Sequence, residues 1–400
     1  MNKHFKDLYE KTTAWWLLHS LYDPAWIFQL EATFEESYCI RGGLQRLRYL
    51  GRTAPSPGKP NRAGGSPDAD KPSAGPLKDA MVRNDVETKG CDTEESQRLE
   101  AGTFAYCDRV MSHQGVQGPP EALYMGYGVR VVHGVVDCCC VADQASVANG
   151  VLDTIAMYKD HPRAARWLAS IERWADWVIR EFATQTGGIG VGVLGHKWNP
   201  IPEYWCATSL FATSLFKLAV LTGKEDYLKR AMAALDWLAR FDHTAVEIPK
   251  FTECAPEVIL YAGEGLVEGL RFVASTLGPQ AAKDHPAADK LRSMARWLIA
   301  NQLAEGRWPD PPARGYREYS LGIPWILFQM NRLIGPDKER TACAERCLSH
   351  LLRPEGERYY GLYVRPWGMG LVWLSLGEMA GDSCGTPMAK RSNNRTSRTP

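Results

Sequence analysis

ADWVIREF at 175–182, LDWLARF at 235–241 and ARWLIANQL at 295–303 put Trp177, Trp237 and Trp297 in the same setting at intervals of sixty residues. LSHLLRP at 348–354 is a weaker echo. A period of this size is the mark of a repeat architecture, in which each unit buries its apolar face against the next. The three tryptophans read as packing anchors of one recurring helix.

Ahead of each anchor lies another helix-length apolar segment ending in a short turn: VLDTIAMYKDHP, FKLAVLTGKED, RFVASTLGPQ and MNRLIGPDKER. Gly, Pro, Asp and Lys in these turns stop one helix and start the next. The unit is a helical hairpin. Extending the pattern predicts twelve helices, at 5–20, 24–49, 94–112, 137–158, 162–183, 202–222, 226–242, 255–278, 286–303, 317–334, 338–352 and 365–381. Strand signals are confined to GGIGVGVLG and YYGLYV, which suit short hairpin arms in loops.

Segments before the turns, such as FATSLFKLAVL and IPWILFQM, are apolar nearly all round, whereas those after them, such as YLKRAMAALDWLARF, carry a charged face. A helix apolar on every side is buried and a striped one lies outside. Inner and outer helices therefore alternate. With the first helix outer and the last inner, they complete a sixth pair and close an all-α (α/α)6 toroid; an open solenoid is the alternative. The toroid occupies residues 1–382 as a single domain. It is interrupted at 51–93 by a Pro-, Gly-, Ser- and charge-rich insertion and followed by a similar tail at 383–400, both expected to be disordered.

The 400 residues are 45% hydrophobic and carry a net charge of +1, so no broad field favours nucleic acid or an anionic membrane. The N-terminal stretch lacks an apolar core of signal-peptide length, and no segment approaches the roughly twenty apolar residues of a membrane span. The expectation is a soluble, cytoplasmic protein. Eleven cysteines, including Cys138, Cys139 and Cys140 in a row, form neither a disulfide framework nor paired zinc knuckles, and read as small buried thiols. No nucleotide loop or metal motif is present, so no cofactor and no metal are expected. The 14 Trp and 16 Tyr supply many flat surfaces on which sugar rings stack and which cores also use.

Links from outer to inner helices are the long ones: 113–136, 184–201, 243–254, 304–316 and 353–364. They emerge together around the N-termini of the inner helices, where free N–H groups and partial positive charge favour an anionic ligand. Asp137 sits where the fourth helix is expected to open and reads equally as an N-cap or as an acid/base group. Asp143, six residues on, is a second carboxylate or a polar group satisfied in the core. HKWNPIPEYW at 196–205 gathers His196, Trp198, Glu203, Tyr204 and Trp205 at one junction, with His196 and Glu203 as further acid/base candidates. EGRWPDPPARGYREY at 305–319 offers Arg307 and Arg317 to pair with a carboxylate and Trp308 as a stacking wall. Arg365 and Trp367 repeat that pairing, Tyr127 joins the rim, and Glu247 and Glu253 are alternative acids. The partner these residues suit is an anionic oligosaccharide.

VVDCCCVADQASVANGVLDTIAMYKD, from Val135, resembles the helix-opening motif of the unsaturated uronyl hydrolases, (α/α)6 glycosidases in which an Asp after two apolar residues opens an inner helix. The resemblance implies that Asp137 protonates the C4–C5 double bond of a terminal unsaturated uronic acid, with hydration and collapse releasing the remaining sugar. It implies no metal. It also implies that Arg307, Arg317 or Arg365 pairs with the uronate, while Trp198, Trp308 or Trp367 stacks on rings. A saturated β-glucuronidase using two carboxyls, a polysaccharide lyase using Tyr204 or His196 as base, and a non-catalytic helical scaffold are the other readings.

Overall fold

The computed structural model describes residues 3–19, 33–51, 93–116, 119–123, 131–132, 135–136, 138–194, 203–243, 255–308, 321–355, 358–359 and 366–381. Thirteen helices lie among them. The inner helices are α2 (Thr33–Tyr49), α4 (Val141–Met157), α6 (Trp205–Thr222), α8 (Ala255–Leu277), α11 (Ile323–Ile334) and α13 (Pro366–Gly381). The outer ones are α1 (Lys3–His19), α3 (Glu94–His113), α5 (Ala164–Phe182), α7 (Glu225–Arg240), α10 (Pro286–Asn301) and α12 (Lys338–Leu351). A short extra helix, α9 (Pro279–Asp284), sits in the α8 to α10 link, which the sequence reading had taken as a plain turn.

Each inner helix packs on the next, α2 on α4, α4 on α6, α6 on α8, α8 on α11, α11 on α13, and α13 back on α2. The ring is closed, and the open solenoid is excluded. Small residues make that closeness possible. Ser37 and Ser146 share a 2.6 Å hydrogen bond across α2 and α4, Asn149 donates to the Leu210 carbonyl across α4 and α6, and Gly265 N–H donates to Ser209 Oγ across α6 and α8. At the closing seam a Cβ on Gly370 would stand 2.6 Å from backbone atoms of Tyr38 and Cys39. Gly370→Ala therefore forces α13 off α2, and thermal unfolding should register a loss of roughly 1–3 kcal/mol; an unchanged midpoint would mean the seam has slack.

The outer helices follow the amphipathic rule. In α5, Trp167, Ile171, Trp174 and Val178 form the buried stripe at i, i+4, i+7 and i+11. The anchors behave as expected: Trp177 meets Phe182 edge-on and Trp237 stacks on Phe241. Caps match the turn chemistry, as where Asp337 accepts from the N–H groups of Glu339 and Arg340 at the start of α12. α6 is apolar and long enough to cross a membrane, but 83% of that window is buried inside the ring.

Six short strands lie among the described residues: β1 (Val131–Val132), β2 (Val135–Val136), β3 (Cys138–Cys140), β4 (Gly192–Leu194), β5 (Pro354–Glu355) and β6 (Arg358–Tyr359). They pair antiparallel as β1 with β2, β3 with β4, and β5 with β6. The β3–β4 pairing corrects the start of the fourth helix. Residues 138–140 are extended, α4 opens at Val141, and its N-cap is Cys140. The N-cap position of this helix is thus not Asp137. The eleventh helix likewise starts at Ile323, after the cap residue Gly322. The insertion and tail expected at 51–93 and 383–400 fall almost wholly outside the described residues, as does the stretch 24–32 assigned to the second helix.

Candidate functional site

The inner helices were expected to be apolar all round, and the ring axis shows why that is incomplete. Glu264, in the middle of α8, is 2% exposed and reaches across the ring to α2, accepting from Tyr38 Oη at 2.9 Å and from Arg41 at 2.5 Å. Arg41 also pairs with Asp153 of α4 at 3.1 Å, and Asp153 takes Lys217 of α6 at 2.7 Å. On the remaining side Arg271 bridges Glu268 of α8 to Gln329 of α11, Arg332 pairs with Glu378 of α13 at 2.6 Å, and Gln45 of α2 donates to Glu378. Every inner helix contributes to this polar circuit. Among the described residues its four cations match its four carboxylates, so the circuit is charged locally and balanced within itself.

Above this tier, toward the inner N-termini, the axis is aromatic. The Arg41 guanidinium lies 5.1 Å from the Trp325 ring centre and 5.4 Å from that of Tyr38. Trp205 leans on Tyr204 and Tyr261, with ring centres 5.3 and 6.3 Å apart. Burial, reinforced by the Glu264 charge, pushes the Tyr38 phenol well above its ordinary range, so it stays a hydrogen-bond donor. Burial alone would raise Asp153, but Lys217 and Arg41 more than offset it and hold the carboxyl down at about 2.

The predicted site residues divide three ways. Asp137, His196, Trp198, Tyr127, Arg317 and Arg365 lie outside the described residues, as do Glu247, Glu253 and the side chain of Trp367, whose backbone is in the first turn of α13.

A second group is described and turned elsewhere. Glu203 points into the outer layer, where Thr184 Oγ1 donates at 2.6 Å, Thr186 Oγ1 also donates, and the anchor Trp237 donates its indole N–H at 3.1 Å. Both carboxylate oxygens are engaged in joining α7 to the 183–190 turn, which is the work of a structural clamp rather than of a proton donor. Glu203→Ala strands three donors, and a denaturation curve should show a cost of about 1–3 kcal/mol, partly recovered by Glu203→Gln. Trp308 is 1% exposed and donates to the Leu298 carbonyl, so it offers no stacking wall. Arg307 pairs with Glu305 of its own loop at 3.1 Å. Asp143 lies ten residues before the axial Asp153, which turns it roughly 80° from the axis around α4, and Ala142 takes the axial place.

The third group, Tyr204 and Trp205, sits at the start of α6. Tyr204 is half-buried and its N–H donates to the Ile189 carbonyl, which fixes the entry to α6; Trp205 is buried beside it at 2% exposure and so offers no open stacking face. The sequence reading missed Tyr38, Arg41, Glu264 and Trp325. Their signal was polar residues at i, i+3, i+4 and i+7 on otherwise apolar helices. Among the described residues no group of His, Cys, Asp and Glu is placed to hold a metal, and Cys39, Cys107, Cys206, Cys343 and Cys347 are buried.

No protein-family model matches the chain, and no curated protein matches its sequence. Solved structures do. A polysaccharide lyase superposes with a TM-score of 0.57 at 11% identity over 96% of this chain and 98% of its own. A Listeria innocua protein gives 0.54 at 10% identity over 88% and 86%. A possible GH105 family member from Klebsiella pneumoniae gives 0.49 at 12% identity over 78% and 100%. The fold is that of the helical toroids, an (α/α)6 ring.

Proposed function

We propose that the chain is a carbohydrate-active enzyme, a glycoside hydrolase that removes a terminal unsaturated uronic acid from an oligosaccharide. The observation that supports this reading most is the closed ring with an aromatic tier above a charge-blocked axis. The ring brings six inner-helix N-termini together around one axis, an arrangement that suits an anionic ligand. Full-length similarity of fold to a polysaccharide lyase supports the carbohydrate class.

In this reading the Asp137 carboxyl donates its proton to C4 of the unsaturated ring, and water adds at C5. The hemiketal opens, and the hemiacetal left at C1 collapses to release the remaining sugar. Rim arginines Arg317 and Arg365 meet the uronate, helped by the inner-helix N-termini. His196 and Tyr127 are polar contacts of the sugar, and Trp198 and Trp367 are aromatic ones. The substrate is anionic, the enzyme is cytoplasmic, and no metal takes part.

The same likeness of fold favours one competing reading, a polysaccharide lyase with Tyr204 or His196 as base. The enol-ether absorbance separates them by sign. Incubation with lyase-derived unsaturated oligosaccharides should lower it if the hydrolase reading holds. A rise on intact polyuronides would replace that reading with the lyase.

A further inference from the structure

Side chains tie neighbouring outer helices together along most of the wall. Trp167 of α5 donates to Asp108 of α3 at 2.9 Å, Tyr227 of α7 donates to Asp176 of α5 at 2.8 Å, and Gln302 at the end of α10 donates to the Cys343 carbonyl of α12 at 2.9 Å. Lys290 of α10 donates to the Phe241 carbonyl that closes α7. Between α12 and α1, at the seam of the outer layer, the wall instead holds a cleft of about 670 Å³. That is the size of a small-molecule site, and it lies between outer helices rather than on the ring axis.

Among the described residues, Phe5 of α1 forms one wall of the cleft. The other is the face of α12 that carries Glu345, Arg346 and Ser349, with Arg353 just past the helix end and Glu305 of the α10 to α11 link beside it. Both guanidiniums are held in place. Arg346 donates through Nε and Nη2 to Gln302 Oε1 at 3.0 and 2.5 Å, which leaves Nη1 as a further donor. Arg353 Nη1 lies 2.8 Å from Nδ1 of His350, whose imidazole is 7% exposed in the same wall. Ser349 donates to the Glu345 carbonyl at 2.8 Å, so its oxygen is left to accept. Glu305 pairs with Arg307 at 3.1 Å, and Glu345 is half-buried.

This mixture of groups separates ligand classes. A phosphate or sulfate brings acceptor oxygens alone and meets two carboxylates. A neutral sugar gives the guanidiniums no anion to pair with. A uronate ring satisfies both kinds of group, because its carboxylate takes a guanidinium while its hydroxyls donate to Glu345 and Glu305. We infer that the cleft between α12 and α1 is a second, non-catalytic binding site for an oligosaccharide containing uronic acid. The saccharide class rests on the carbohydrate reading above, and the double-bond chemistry does not enter. A chain held on the outer wall keeps its end at high effective concentration near the ring.

Hydrogen exchange of the full chain, read on peptides covering 343–353, tests this while trigalacturonate or a saturated hyaluronan tetrasaccharide is titrated in. One or both should slow exchange there in a saturable way. In the double variant Arg346→Ser with Arg353→Ser the half-saturating concentration should rise tenfold or more, with the unfolding midpoint recorded to show that the fold is kept. Glu345→Ala, which leaves both guanidiniums in place, should weaken the saccharide several-fold and strengthen inorganic phosphate. No protection of 343–353 by either saccharide overturns the inference, as does protection that survives the double variant. An equal effect from inorganic phosphate on wild type, or from the dipeptide Asp-Lys, overturns the saccharide assignment. Neither probe carries a C4–C5 double bond, so the enol-ether assay can fail while this site stands, and this site can fail while the hydrolase reading stands.

Discussion

Replacing Arg41 with alanine should lower stability by about 3–5 kcal/mol, read from the midpoint of denaturant unfolding. The side chain is 8% exposed and holds two carboxylates, Glu264 at 2.5 Å and Asp153 at 3.1 Å, from helices on different sides of the ring. Removing one partner of a buried pair leaves the other charge desolvated, and that loss is larger than the net worth of the pair itself. Glu264 is the more exposed to this penalty, because only the Tyr38 hydroxyl would remain on it. The double variant Arg41→Met with Glu264→Leu removes both charges and should recover most of the loss. A single-variant effect under about 1 kcal/mol would mean water fills the axis and the circuit is no more than a solvated surface. Acid provides the same test by another route. Asp153 is held below its unfolded value, so its contribution is complete above an unfolded pKa of about 4 and disappears as pH falls through about 2.

Asp137→Asn should reduce kcat and kcat/KM together by roughly a hundred- to ten-thousandfold, the range general acid catalysis supplies. Asparagine keeps the shape and the hydrogen-bonding reach of the residue but has no proton to give. Loss of fold is not the expected cause, because the cap position of α4 belongs to Cys140 and the adjoining β3 strand is held by backbone bonds to β4. Far-UV circular dichroism and the unfolding midpoint should therefore match wild type. A variant within threefold of wild-type turnover would remove Asp137 from the chemistry and return the proton donor to be sought elsewhere, with His196 the first candidate.

Sixty-residue spacing of Trp177, Trp237 and Trp297 was enough to read the hairpin, and the closure of six hairpins followed from counting. Periodicity worked because each outer helix must bury one stripe. It failed on the inner helices for a physical reason. A helix enclosed on all sides looks uniformly apolar, and the few positions facing the axis, such as Glu264 and Gln329, pair only with helices far away in sequence. Site residues were less legible for a similar reason. Glu203 and Trp308 sit in a rim-like context by sequence, yet their partners, Trp237 and the Leu298 carbonyl, belong to the outer helices. No local pattern encodes a choice between facing the mouth and facing the wall.

The seam of the ring also sets when the molecule can be finished. α1 and α2 lean on α13, with Trp373 donating to Thr13 across 360 positions and Gln45 donating to Glu378 across 333. On the ribosome, at about 5–20 residues per second, the first two helices must wait roughly 20–70 seconds for their final neighbour to be made. During that interval the faces of α1 and α2 that later meet α13 are unpaired apolar surface, the state in which nascent chains are captured by chaperones or by one another. Contacts so distant in sequence also carry a high loop-closure cost, which slows the last step of folding. A chain cut before Pro366 would keep five hairpins and lose the one helix that makes them a ring, so nascent-chain release and premature termination are where this architecture is most vulnerable.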